Sequence, residues 1–334
     1  MHSLHHKWFT AVKIKLAAYV FILFVLGACS SEEEDGLQFE KQNRSVPAFN
    51  ADSAYQYVEA QVKAGPRNPG SEGHRQTKQY LLKKLRAYAG QRNVFAQRFT
   101  HTGYQGDSLA MTNIIAAFNP GSSDRIMLCA HWDTRPRAEK DSLNTEKPIL
   151  GADDGASGVG ILMELARIFS ENNPPVGVDI VLFDGEDYGK EGDYANYFVG
   201  SRFWSNYPPV KGYSPRFAIL LDMVGGQNAQ FLKEKNSMQF ASALMNELWS
   251  IARQMDYGNR FVNQQGAAIS DDHVIINRIR GIPIINIINH TKKVNGSVQF
   301  APYWHTQNDN LEIIDRKTLD AVGEVLTELI YNRI

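Results

Sequence analysis

Residues 178–188 read VDIVLFDGEDY, and the reading of this stretch decides the fold. Its apolar run, 180–183, has the character of a buried strand, and the Asp184-Gly185 pair that follows stops it. Two adjacent acids, Glu186 and Asp187, are thereby delivered at the strand's C-terminal end, the edge at which open α/β sheets keep their sites. Neighbouring carboxylates repel, so such a pair needs solvent or a cation; beside a divalent metal, one acid can ligate while the other handles protons. An acidic loop after a strand would explain the pair taken alone, and the surrounding chain has to decide.

Outward from it, apolar residues at helical spacing mark 51–64 (Tyr55, Val58, Val62) and 71–88 (Tyr80, Leu81, Leu85, Tyr88), separated by Gly65-Pro66-Arg67-Asn68-Pro69-Gly70. From 94 to 117 the pattern turns to strands, strongest at 112–117, and 125–130 is another. The polar, proline-containing span 135–148 reads as a loop. A helix over 155–169 would bury Ile161, Leu162, Leu165 and Phe169 and take Asp153-Asp154 as its acidic N-cap. Strands at 217–221 and 282–288 and helices at 237–255 and 311–333 complete the pattern. Strands alternating with helices predict an α/β chain: a three-layer αβα sandwich around a mixed, mostly parallel central sheet. There is no repeat, no heptad run and no glycine-rich phosphate loop.

At 334 residues, 43% hydrophobic and 21% charged, the chain can bury a large core. The net charge of -1 hides an asymmetry, because residues 1–28 carry Lys7, Lys13 and Lys15 and no acid. Taking these three from 35 basic residues leaves 32 against 36 acidic ones, or -4, a balance that gives no reason to expect nucleic acid as a partner. The basic start, followed by an apolar run at 16–26, reads as a signal peptide over 1–28. Leu26-Gly27-Ala28-Cys29 resembles a bacterial lipobox, which makes Cys29 the expected lipidated residue and 29–43 an acidic tether ahead of a single catalytic domain, 44–334. The expected location is the bacterial cell envelope, anchored through the lipid and facing the periplasm or the cell surface. Cys129 would be the one remaining thiol, packed in the apolar strand IMLCA and without an intramolecular disulfide partner.

Candidate ligands fall one after another at predicted strand ends. His131-Trp132-Asp133 follows IMLCA, Asp154 opens the helix, Glu186-Asp187 follow VLFDG, Asp222 ends AILLD, Asp271-Asp272-His273 precede the strand at 282, and His305 sits in Tyr303-Trp304-His305-Thr306. Singly, each has a plain explanation as a cap, a strand terminator or a turn. Together they point to a site, because carboxylates mixed with imidazole suit zinc and the strand ends of one sheet converge.

The order HxD, GADD, the acidic pair, LLD and a late WHT resembles the zinc aminopeptidase superfamily of clan MH, peptidase family M28, over about 50–334. Asp271-Asp272-His273, the strand RGIPIINII, Trp304-His305, Asp309-Asn310-Leu311-Glu312 and Arg67-Asn68-Pro69-Gly70-Ser71 are similar to its glutaminyl cyclase branch, which implies a zinc-exopeptidase-like fold. The resemblance implies one Zn2+ per chain on Asp154, Asp187 and His305, with Glu186 as proton shuttle. Asp222 and Asp271 complete its acid network and Trp304 lines the pocket. Peptides and proteins with N-terminal glutamine are the implied substrates, cyclised to pyroglutamate with loss of ammonia. A two-zinc aminopeptidase, with His131 and Asp222 completing a second site, is the alternative. Two departures stand out from the animal enzymes, Asp187 in place of a glutamate and Asn286 in place of a histidine. Tyr188, Tyr194, Tyr197, Trp132 and Trp204 are candidates for the pocket rim, and His273 for orienting an acid.

Overall fold

The computed structural model describes residues 36–334, so the expected leader, Cys29 and the first part of the tether lie outside the described residues. Helices α1 (Ala51–Lys63) and α2 (Glu72–Ala89) come first, and the side chains of Asn50 and Ser71 cap them by accepting first-turn backbone N–H groups. Strands β1 (Val94–Thr102), β2 (Ser108–Phe118) and β3 (Arg125–His131) lead into α3 (Ala156–Glu171), β4 (Gly177–Phe183), α4 (Val199–Asn206) and β5 (Ala218–Asp222). The second half runs through β6 (Phe231–Lys233), α5 (Lys235–Phe240), α6 (Ser242–Gln254), β7 (Phe261–Gln265), α7 (Asp272–Arg280) and β8 (Ile284–Ile288). A short ribbon, β9 (Thr291–Lys292) with β10 (Val298–Gln299), precedes α8 (Arg316–Asn332).

The central sheet has the order β1-β2-β4-β3-β5-β8; β4, β3, β5 and β8 are parallel, and β1 and β2 form an antiparallel edge. Period-two alternation sorts its side chains onto two faces. Ile126, Leu128, Ile180, Leu182, Ile219, Leu221, Ile285 and Ile287 join the core beneath α1, α2, α3, α6 and α8. Met127, Cys129, Val181, Phe183, Leu220 and Ile284 face the other way, against Trp204 of α4 and Ile276 of α7. Because both faces are covered, the parallel strands read as continuous apolar runs, and each fully buried Ile or Leu contributes about 1.5–3 kcal/mol. Cys129 is a free, buried core thiol, as its strand setting implied. Among the described residues no helix is long and apolar enough to cross a membrane.

Four local expectations are corrected. The plain explanation of Asp271-Asp272 as a turn gives way to a helix start: Asp271 is the N-cap of α7, its side chain accepting the Asp272 N–H. The helix expected over 237–255 breaks at Ala241, where the backbone leaves the helical region (φ -158, ψ 64) between α5 and α6. The last helix begins at Arg316 after a 3-10 turn, Leu311–Ile313, because Asp315 caps it there. Asp154 is not the cap of α3; Gly155 holds that position without a side-chain cap, and the Asp154 carboxylate is left for other work.

Candidate metal centre

Parallel strands bring their C-terminal ends to one edge, and the ends of β3, β4 and β5 deliver His131, the Glu186-Asp187 pair and Asp222 there. The β3–α3 connection adds Asp154, and the segment after β10 adds His305, held at φ +56. Two triads result, Asp154–Asp187–His305 and His131–Asp154–Asp222, each with its ligand atoms within 4.8 Å of one another. His305 Nε2 lies 3.5 Å from Asp187 Oδ1 and 3.7 Å from Asp154 Oδ2; His131 Nε2 lies 3.1 Å from Asp154 Oδ1 and 3.4 Å from Asp222 Oδ1. Ligands about 2.0–2.1 Å from a tetrahedral zinc stand roughly 3.3 Å apart, close to these separations.

The state of the individual atoms tests the fit. Both ring nitrogens of His131, Nδ1 of His305, Oδ2 of Asp187 and Oδ1 of Asp222 are buried without an aligned hydrogen bond. Each orphaned buried polar atom costs about 1–3 kcal/mol; His131 Nε2 and Asp222 Oδ1, 3.4 Å apart, face one another and indicate a group that satisfies them together, whereas Nδ1 of His131 and Nδ1 of His305 face Asp133 and Glu139. Carboxylate oxygens and imidazole nitrogens are the donor set zinc takes, and the residues fit it.

Neighbours fix the ligands. Asp133 accepts the backbone N–H of Glu186 (3.1 Å) and of Asp187 (3.3 Å), setting the turn that carries the acidic pair. Asp309 accepts the N–H of Asp153 (2.7 Å) and of Asp154 (3.2 Å). Fully buried Arg67 donates to the carbonyls of Trp132, Leu150 and Gly151, tying the segment after β3 to the one before Asp154. Arg135 Nη1 donates to Asp187 Oδ1 at 2.6 Å, Nη2 donates to the Tyr197 hydroxyl, and Nε donates to Glu139, whose Oε1 lies 3.3 Å from His305 Nδ1. The loop 135–148 thus contributes two of the centre's braces.

Burial dominates the electrostatics on the other wall. It pushes the Glu186 carboxyl well above the usual carboxylate range, against the pull of His131 and helped by the charges of Asp187, Asp271 and Asp272. It lifts Asp222 to about 8, with Asp271 and Asp154 adding to it, and also raises Asp271. Burial works to raise Asp187 as well, yet the Arg135 guanidinium and His305 hold it below the ordinary range. Asp271 is fixed by Asn286, whose Nδ2 donates to its Oδ2 at 2.6 Å; the strand position at which the animal enzymes were expected to differ is therefore occupied by an acid's hydrogen-bond donor.

Glu186, Asp222, Asp271, Asp154, Asp187 and His305 line one cavity of about 100 Å3, with Phe198, Ile269, Phe300 and Trp304 as its apolar walls. At ~30 Å3 per liquid water this is the space of one small side chain. Trp304 stacks on His305, ring centroids 3.7 Å apart. Of the rim candidates, Tyr197 lines the cavity and Tyr194 a neighbouring hollow; Trp132 and Trp204 are core residues, and Tyr188 is buried beneath Tyr104. His273 does orient an acid, but it is Glu234, 3.1 Å away, which caps α5. Sequence reasoning missed Asp133, Arg135, Glu139 and Asp309 as braces.

The family model described as Peptidase family M28 matches residues 113–330. A solved Zn-dependent exopeptidase from Parabacteroides distasonis is 44% identical, with a TM-score of 0.82 over 86% of this chain and 100% of that one. The glutaminyl cyclase of Bacteroides thetaiotaomicron, solved with N-acetylhistamine, is 44% identical, with a TM-score of 0.80 over 86% of this chain and 99% of that one. The glutaminyl-peptide cyclotransferase of Bos taurus is 25% identical over 292 residues, 78% of this chain and 76% of that protein.

Proposed function

The chain belongs to peptidase family M28, and on that premise we propose that it is a zinc-dependent glutaminyl-peptide cyclotransferase, converting the N-terminal glutamine of peptides and proteins to pyroglutamate with release of ammonia. One observation carries the reading: a cavity of side-chain size where a ligand triad and three further buried acids meet beside an indole. Cyclisation is intramolecular, so the site has to fold one glutamine side chain back on its own amine and move a proton, tasks that need confinement rather than an activated water.

Asp154, Asp187 and His305 would hold a single zinc ion, which supplies Lewis acidity for polarising an amide carbonyl. Glu186 takes the proton of the attacking α-amine and returns it to the departing nitrogen; a carboxyl raised by burial is suited to both halves of that transfer. Asp222 and Asp271 line the same cavity, and the charges of Asp187 and Asp271 add to burial in favouring the protonated form of Glu186. Trp304 covers the aliphatic part of the side chain and excludes water. Arg135 and Glu139 act through Asp187 and His305, holding their orientation.

The second triad, His131–Asp154–Asp222, supports the other reading, a two-zinc aminopeptidase. Metal analysis with product mass separates the two. One zinc per chain and a Gln-initiated peptide lighter by one ammonia are expected, whereas two zinc ions and free glutamine would overturn the cyclase.

The proposal extends to the chain's start. A basic segment, an apolar run and Leu26-Gly27-Ala28-Cys29 support a lipoprotein anchored through Cys29 in the cell envelope, facing the periplasm or the surface. Cys29→Ser should release the protein from the membrane fraction; continued membrane attachment without an acyl label would refute it.

A further inference from the structure

Beside the Trp304-walled cavity lies a hollow of about 430 Å3, and Phe198, Ser270 and Asp271 line both. We propose that this hollow receives the residues that follow the N-terminal glutamine and that Arg278, with Arg202, makes it select acidic side chains there; the inference rests on the cyclase reading above. A cavity that holds one side chain cannot also hold the rest of the peptide, so the substrate's main chain must leave through a neighbouring space. The hollow shares three wall residues with the cavity, whereas the hollow formed by residues around Asn289 and Tyr303 shares Phe300 alone.

Its chemistry is lopsided. Tyr194, Ala195, Val274 and Ile275 are apolar lining, and the charged side chains are Arg202, Arg278 and Asp271. Asp271 is committed: one oxygen takes the Asp272 N–H and the other takes the Asn286 amide. Asp193, next to Tyr194 in the chain, is taken up by the Tyr104 hydroxyl and the Asn196 amide. Arg202 uses Nη2 on the carbonyls of Tyr194 (3.0 Å) and Tyr197 (3.3 Å), and its Nε is buried with no partner. Arg278 is exposed and, among the described residues, pairs with no acid. Two guanidinium groups therefore face the hollow with no free carboxylate to balance them, and a guanidinium is suited to paired hydrogen bonds with a carboxylate.

Spacing sets which residues are read. Asp271, Val274, Ile275 and Arg278 follow the i, i+3, i+4, i+7 spacing of one face of α7. At ~1.5 Å of rise per residue Arg278 stands about 10 Å from Asp271, and an extended peptide advances ~3.3 Å per residue. Side chains at the second and third positions after glutamine are thus the ones within its reach.

Four substrates test it on the full zinc-loaded enzyme: glutamine amide, and peptides in which Gln-Gly is followed by two glutamates, two alanines or two lysines. The glutamate peptide should exceed the alanine peptide in kcat/KM by about fivefold at low salt and the lysine peptide by more, with the preference shrinking as salt screens the exposed pair. Arg278→Ala should flatten the series, and Arg278→Glu, on an exposed helix position, should reverse it with unchanged zinc content and circular dichroism. Equal kcat/KM across the three peptides, or a preference that survives Arg278→Glu, would overturn the subsite while cyclisation of glutamine amide upholds the enzyme. Failure to cyclise even glutamine amide would remove the cyclase reading, and the subsite with it.

Discussion

Two ligand triads meet at Asp154, one through Asp187 and His305 and the other through His131 and Asp222, and they differ in what stands behind the ligands. Behind Asp187 is the buried Arg135 guanidinium, hydrogen-bonded at 2.6 Å, and behind His305 is Glu139 at 3.3 Å, a charge close to Nδ1 without an aligned bond. Behind His131 is Asp133, 3.6 Å away and unaligned, and Asp222 Oδ1 has no hydrogen-bond partner. The difference teaches that matching ligand types does not make two sites equal. A ligand whose orientation is set beforehand surrenders less freedom when the ion arrives, so the Arg135-braced triad should fill first and hold hardest.

Removing a ligand from the braced triad should break the comparison most severely. His305→Ala is expected to lose zinc and turnover together, more than about 100-fold in metal affinity. Full zinc occupancy by elemental analysis in that variant would show that the ion sits elsewhere. Next in size, Glu186→Gln should retain zinc and fold while kcat falls by about 10²–10⁴, because the proton carrier goes and the ligands stay. Near-normal turnover would show that another acid does this work. Glu139→Gln removes the charge that faces both His305 and Arg135 and should weaken zinc by about 10–100-fold in a chelator competition, without abolishing it. An unchanged affinity would mean that the bracing has no energetic weight. The smallest effect on metal is expected at the other triad: His131→Asn should leave the zinc count at one per chain. A fall from two ions to one would elevate the unbraced cluster to a true site.

The parallel strands and the residues at their ends were legible because burial on both faces writes β3, β4, β5 and β8 as nearly continuous apolar runs, interrupted at Asp179 and Asn286. The resemblance brought Asp154 forward as a candidate ligand, and the structure puts it among side chains that could hold an ion, while its local reading as a cap failed since Gly155 takes that place. Other features left no such trace. Helix α7 spans nine residues, and the sequence before it, Ile269-Ser270-Asp271, reads as a turn as readily as an N-cap. The break between α5 and α6 falls at an alanine, with no proline or glycine to mark it. The strands β6 and β7, FLK and FVNQQ, have two apolar residues each, too few for alternation to be recognised. The braces escaped for a different reason: Arg135 meets a partner 52 positions away and Asp309 one 156 away, and no spacing rule spans such gaps.

The clasp of Asp309 on the backbone of Asp153 and Asp154 bears on when the centre can come into being. The first proposed ligand emerges at position 154, but the final imidazole and the clamp emerge only about 150 positions later, at 305 and 309. A growing or truncated polypeptide that stops before position 305 can form strands and part of the core, but it has no complete grip on an ion. On the proposed ligand set, metal acquisition consequently has to wait until the chain has been made past position 309.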